Sequence, residues 1–146
     1  MKPVLHVATA ARVKVNGCMA SAVVVRWGGT GAPRVIIRQQ QTGDVMTAAY
    51  RALVLGLTEA RRLRARAVII YADDADVVAQ LDGTERPPGS VLGPYLQVRA
   101  LLNAFRSAHV RHSAAPETSE AVFAAAAAFR RRRSVYSDLP LWAAAS

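Results

Sequence analysis

The amino-acid sequence predicts one α/β domain built on a five-stranded mixed β-sheet that is flanked by helices. The N-terminal third contains β-branched segments separated by turn signals, and the remainder alternates helical periodicity with short apolar segments. The chain has 146 residues, 52% of them hydrophobic, which is enough for one domain with a buried core. This order of elements favours an antiparallel meander followed by parallel strands that helices connect.

Three strands are predicted in the N-terminal third, over Val4 to Val13, Ala20 to Trp27 and Arg34 to Thr42. Asn16-Gly17 is a strong signal for a tight turn between the first two strands, and the glycine-rich residues 28–33 form the next loop. Short connections of this kind place successive strands side by side and antiparallel. The N-terminal third is therefore expected to be a three-stranded meander.

The first helix is predicted over residues 46–64, because apolar residues recur there at helical spacing. Either Asp44 or Thr47 is suited to cap its start. The short apolar run from Ala67 to Tyr71 predicts a buried fourth strand. Asp74 is then expected to cap a short helix that ends near residue 81.

The C-terminal part is predicted to contain a loop, two more helices and the fifth strand. A proline- and glycine-rich loop over 82–94 precedes a helix over 95–108, a strand over 109–113 and a helix over 116–132. The expected core face of the first of these helices consists of Leu96, Leu101, Leu102 and Phe105. We place the domain at residues 1–133, and an apolar C-terminal tail at residues 134–146.

Four segments resemble, in the same order, the ribonuclease H-like family. Residues 47–53 (TAAYRAL) are similar to the opening of its first helix, and residues 68–83 (VIIYADDADVVAQLDG) to its fourth strand and the helix that follows. Residues 94–105 (PYLQVRALLNAF) are similar to a later helix, and residues 110–112 (VRH) to the last strand. The resemblance covers residues 4–128, is nearest to the small bacterial and archaeal type 1 enzymes, and implies the ribonuclease H fold.

Active members of the family cleave the RNA strand of RNA–DNA hybrids with two Mg²⁺ ions held by four carboxylates. The resemblance places three of these carboxylate positions on Thr9 (Ala8 if the alignment slips by one residue), Ala49 and Val122. Asp73 alone retains an acid, and His112 matches a histidine that assists product release in some members. We therefore expect an inactive ribonuclease H-like domain with no catalytic residue, no metal and no cofactor.

Charge favours a polyanionic partner. Nineteen basic residues against ten acidic ones give a net charge of +9, which suits nucleic acid. Contacts to phosphates position a protein without reading sequence, so we expect binding that is largely sequence-independent. The candidate nucleic-acid-binding residues are Arg12, Lys14, Arg61, Arg62, Arg130, Arg131, Arg132 and Arg133.

Two alternative functions remain open. The same fold can serve as a protein–protein scaffold or a homodimerisation module, with Leu139, Leu141 and Trp142 of the tail as contacts. A rebuilt metal site would instead make the chain an Mg²⁺-dependent ribonuclease H.

The single cysteine argues against disulfides and a cysteine-rich zinc site, and no signal peptide or membrane-spanning run is evident. We therefore expect a soluble cytoplasmic protein that does not bind membranes.

Overall fold

The computed structural model describes residues 4–13, 18–27, 34–41 and 44–112. The strands are β1 (Val4–Val13), β2 (Cys18–Trp27), β3 (Arg34–Gln41), β4 (Ala67–Ala72) and β5 (Ser107–His112). The helices are α1 (Val45–Arg62), α2 (Ala75–Asp82) and α3 (Leu92–Leu102), with a 3₁₀ turn at Gly89–Val91. The helix expected over residues 116–132 and the tail expected over residues 134–146 lie outside the described residues.

The five strands form one mixed sheet in the order β3-β2-β1-β4-β5. β1 pairs antiparallel with β2, and β2 pairs antiparallel with β3, which confirms the meander. β1 and β5 both run parallel to β4, which is therefore an inner strand that lies between them. The carboxyl ends of β1, β4 and β5 therefore meet at one edge of the sheet, and their amino ends lie at the other edge.

The core lies between the sheet and α1. Tyr50, Leu53 and Leu57 of α1 are fully buried, as are Leu5 and Val7 of β1. Successive side chains of a strand alternate between its two faces, so Leu5, Val7 and Thr9 share the face that α1 covers. This packing fixes which residues of β1 point towards the helix.

Gly56 lets α1 approach the sheet closely. A Cβ atom at this position would lie 2.8 Å from Val7 Cγ1 and 3.2 Å from Thr9 Cγ2. A separation below 3 Å is tighter than van der Waals packing allows, so only glycine fits without a shift of the helix or the strand. The middle of α1 therefore rests directly against the middle of β1.

Aspartates cap the starts of two helices. Asp44 Oδ1 accepts a hydrogen bond from the backbone N–H of Thr47 at 2.7 Å, so Asp44 is the N-cap of α1. Asp74 Oδ1 accepts from the N–H groups of Asp76 at 2.9 Å and Val77 at 3.2 Å, which confirms it as the N-cap of α2. These bonds satisfy donors that a helix leaves free at its first turn.

The structure corrects the expected position of α3. The helix begins at Leu92 and ends at Leu102, and β5 begins at Ser107, earlier than expected. The 3₁₀ turn leads directly into α3, so Pro94 lies in its first turn, where a missing backbone N–H costs little. Boundaries elsewhere agree to within about two residues.

The expected core face of α3 was partly wrong. Val98 is the fully buried residue of the helix, whereas Leu96 is 56% exposed. Leu101 and Leu102 are half-buried, and Phe105 is buried but lies after the end of the helix. No helix within the described residues is long and apolar enough to span a membrane.

Candidate nucleic-acid interface

Four positions of the expected catalytic set can be located at the carboxyl edge of the sheet. Thr9 of β1 and His112 of β5 both lie opposite Ala72 of β4, and Asp73 follows Ala72 directly. Ala49 lies in the first turns of α1, whose Ala48 and Ala52 form a small buried cluster with Ala11 of β1. The fold thus brings Thr9, Ala49, Asp73 and His112 to the same end, while Val122 lies outside the described residues.

Thr9 is buried, and its hydroxyl donates a hydrogen bond within the fold. It is 2% exposed, and its Oγ1 donates a hydrogen bond to the backbone carbonyl of Tyr71 at 3.1 Å. Its methyl group faces Gly56 of α1, so Thr9 lies on the same side of the sheet as Ala49. Ala8 lies on the opposite face of β1 because strand side chains alternate.

The acids that the structure describes near this edge do not form a metal-binding cluster. Asp74 caps α2, Asp76 is exposed in the first turn of that helix, and Asp73 is half-buried and already interacts with other groups. No cluster of three or more histidine, cysteine, aspartate or glutamate side chains suited to a metal occurs among the described residues. Mg²⁺ requires several hard oxygen ligands, so the donors that the described residues place at this edge do not fit a two-metal site.

A polar network holds the helices together beside Ala49. The buried hydroxyl of Tyr50 donates to Gln80 Oε1 of α2, and the Tyr50 ring meets Tyr95 of α3 edge-on, with ring centroids 6.4 Å apart. Burial, followed by the influence of Tyr95 and Asp74, raises the pKa of Tyr50 to about 12. Tyr50 therefore stays neutral and fixes α1 against α2 and α3.

The expected basic residues fall at different ends of the sheet. Arg61 and Arg62 are exposed in the last turn of α1, near the amino ends of β4 and β5. Arg12 lies in β1 beyond Thr9, opposite Ala20 of β2, and so belongs to the carboxyl end. Lys14 and residues 130–133 and 139–142 lie outside the described residues.

Arg62 forms an ion pair with Glu59, one turn earlier in α1. Its Nε donates to both carboxylate oxygens of Glu59, at 3.1 Å and 3.0 Å. This hydrogen bonding, together with the charge of Glu59, raises the pKa of Arg62. Glu59 is nearly buried, so it holds the Arg62 side chain in place, while the neighbouring Arg61 extends into solvent.

Arg106 is a basic residue that sequence reasoning missed. Its backbone N–H donates to the carbonyl oxygen of Arg66 at 2.9 Å, so the two arginines that directly precede β5 and β4 are neighbours. Along the sequence they are separated by β4, α2, the 3₁₀ turn and α3. Only the parallel pairing of β4 with β5 brings them together, and that pairing register is not visible in the sequence.

The strand order and the positions gathered at the carboxyl edge define a ribonuclease H-like α/β domain. Comparison with known proteins gives the same result, because a family model described as reverse transcriptase-like matches residues 9–128. The chain belongs to this ribonuclease H-like family, as the resemblance in the sequence predicted. Comparison with curated proteins found no match.

Solved structures share the fold at low sequence identity. RNase H1 from the halophilic archaeon Halobacterium salinarum NRC-1 matches with a TM-score of 0.80 and 20% identity, over 87% of this chain and 98% of that one. The N-terminal RNase H domain of rv2228c from Mycobacterium tuberculosis, solved as a fusion with maltose-binding protein, matches with a TM-score of 0.75 and 22% identity, over 85% and 97%. LC11-RNase H1 in complex with an RNA/DNA hybrid matches with a TM-score of 0.71 and 13% identity, over 84% and 92%.

Proposed function

We propose that this chain is a non-cleaving ribonuclease H-like domain that binds nucleic acid through its phosphates, largely independently of sequence. The observation that carries the proposal is the chemistry of the carboxyl edge. Thr9 and Ala49 stand where the resemblance places two metal-binding carboxylates, and the Thr9 hydroxyl is engaged by the Tyr71 carbonyl. Among the described residues, Asp73 is the one acid at these positions, and a single carboxylate cannot hold two Mg²⁺ ions in the arrangement that phosphodiester hydrolysis needs.

A nucleic-acid partner is supported by charge and by structural likeness. The net charge of +9 favours binding to a polyanion, and exposed arginines such as Arg61 supply suitable phosphate contacts. LC11-RNase H1, which has the same fold, was solved in complex with an RNA/DNA hybrid. Because phosphate contacts do not read bases, the affinity should be similar for single strands, duplexes and hybrids.

The proposal is tested by measuring cleavage and binding on the same preparation of the full chain. We expect no Mg²⁺-dependent cleavage of an RNA–DNA hybrid, and similar binding to the three probe types. Affinity for duplex DNA should fall with salt at a log–log slope of about −0.9 for each phosphate neutralised.

Two results would contradict the proposal, and each favours a different alternative. Hybrid cleavage that needs Mg²⁺ and disappears in Asp73→Asn would show a rebuilt metal site. An absence of binding at low salt would leave the basic surface as a solvated one. The protein-scaffold or homodimer function would then be preferred, with Leu139, Leu141 and Trp142 as the first contacts to test.

A further inference from the structure

Five exposed arginines cluster at the amino edge of the sheet. They occupy the end of α1, the turn that follows it, and the residues that directly precede β4 and β5. The backbone bond from Arg106 to Arg66 joins two of them across adjacent strands, which lie about 4.8 Å apart in a sheet. We call this set the amino-end cluster: Arg61, Arg62, Arg64, Arg66 and Arg106.

Within the described residues, one ion pair with a carboxylate is found in the amino-end cluster. Glu59 pairs with Arg62, but the guanidinium groups of the other four arginines make no ion pair with any carboxylate in the described part of the chain. Like charges held this close repel one another and create a strong local positive potential. A surface of this kind suits a ligand that carries a row of negative charges.

Arg64 has a left-handed backbone conformation, which glycine adopts with less strain than any other residue. Its φ is 60°, and it is the one non-glycine residue with positive φ among the described residues. The turn is closed by Arg64 N–H donating to Arg61 O at 2.9 Å and Ala65 N–H donating to Ala60 O at 3.1 Å, the pattern in which a left-handed glycine usually ends a helix. Arginine here strains the backbone and adds a charge to the cluster.

The amino-end cluster lies far from the family's carboxylate positions. Arg66 precedes β4 and Asp73 follows it, so the length of the strand separates them by roughly 20 Å. Along α1, the rise from Ala49 to Arg61 gives a similar separation of about 18 Å. A phosphate bound at this cluster is therefore out of reach of the edge where active relatives would hold metal ions.

From these observations we infer that the phosphodiester backbone of nucleic acid binds at the amino-end cluster, at the opposite edge of the sheet from the family's carboxylate positions. The inference rests on the proposed function and adds a location to it. Binding at this edge requires neither a metal ion nor the carboxylates. The absence of a carboxylate at Thr9 and at Ala49 therefore does not affect this contact.

The test compares three variants with the wild-type chain by fluorescence anisotropy on duplex DNA and on single-stranded RNA. Arg64→Gly and the double variant Arg66→Ala/Arg106→Ala remove charges from the cluster. Arg51→Ala is the matched control, because Arg51 is an exposed arginine of the same helix about 15 Å nearer to the carboxyl edge.

We expect Arg64→Gly to weaken duplex binding about fivefold near 50 mM salt and to flatten the salt slope by about 0.9, since one phosphate contact is lost. The double variant should flatten the slope by about 1.8. Arg51→Ala should bind as the wild type does. The melting temperature of Arg64→Gly should equal or exceed that of the wild type, which separates loss of binding from loss of folding.

Two results would overturn this inference, and they are distinguishable. If the wild-type chain binds but Arg51→Ala weakens binding as much as the cluster variants do, the amino-end cluster is not the site, although the proposed function stands. The same conclusion follows if neither Arg64→Gly nor the double variant weakens binding. If the wild-type chain fails to bind either probe near 50 mM salt, the proposed function itself fails.

Discussion

Replacing Gly56 with alanine should destabilise the fold even though alanine is the better helix former. The added methyl group would lie 2.8 Å from Val7 Cγ1, 3.2 Å from Thr9 Cγ2 and 3.4 Å from Ile70 Cδ1. Val7 and Ile70 are fully buried, so neither can move into open space. Overpacking a core costs roughly 1–3 kcal/mol, whereas the gain in helix propensity is about 1 kcal/mol. We expect a net loss of about 1 kcal/mol in the free energy of unfolding.

Gly93→Ala is the matched control for this experiment. Gly93 also lies in a helix, but a Cβ atom there would meet no heavy atom within 4 Å. This variant should gain about 0.5–1 kcal/mol from propensity alone. Urea denaturation measures the free energy of unfolding of both variants, and their m-values should be unchanged. We expect the two free energies to differ by about 2 kcal/mol. If Gly56→Ala stabilises the chain as much as Gly93→Ala does, the close contact between α1 and β1 is not present.

Three further substitutions test interactions around the helices. Tyr50→Phe should cost about 1–2 kcal/mol at neutral pH, because Gln80 Oε1 loses its donor. Because folding raises the pKa of Tyr50 from 10 to about 12, the wild type should lose stability as the pH rises from 10 to about 12. Urea denaturation across this pH range should show that loss in the wild type and not in Tyr50→Phe. Ser21→Ala should raise stability by about 1 kcal/mol in thermal unfolding, since the Ser21 hydroxyl is buried without a partner. Asp74→Ala should cost about 1 kcal/mol through loss of the α2 cap, while Asp74→Asn should cost little, unlike the effect expected of a metal ligand.

The order of the elements was predictable because local signals and long-range packing agree. The Asn16-Gly17 turn signal and the β-branched strands beside it lead to one meander, and the apolar stripe of α1 meets the sheet as its periodicity indicates. The predicted start of α3 was too late because Pro94 is typical of the end of a loop, although proline is equally suited to the first turn of a helix. The sequence alone does not distinguish these two roles.

The candidate site was only partly predictable for a different reason. That Thr9 and Ala49 stand at carboxylate positions is an expectation from residue types and from the resemblance, for which the sequence is sufficient. The amino-end cluster depends on where the chain returns after long connections. Arg66 and Arg106 become neighbours only through the pairing of Ala67 with Ser107. Sheet register is set by packing across many residues, and inspection of the charged residues does not reveal it.

Position 9 at the carboxyl edge carries a neutral side chain that the fold itself stabilises. The Thr9 hydroxyl donates to the carbonyl oxygen of Tyr71, and the side chain is almost fully buried. An ionised aspartate at this position has only acceptor oxygens, so it would face that carbonyl without a hydrogen bond and would lose its hydration. Removing charge from water without a partner costs several kcal/mol, which is a large part of the stability of a domain. A bound metal ion would offset such a charge, but Ala49 provides no second ligand at the same edge. Threonine at position 9 is thus more stable than aspartate in the absence of a bound metal ion, and the positive charge at the amino edge is independent of it.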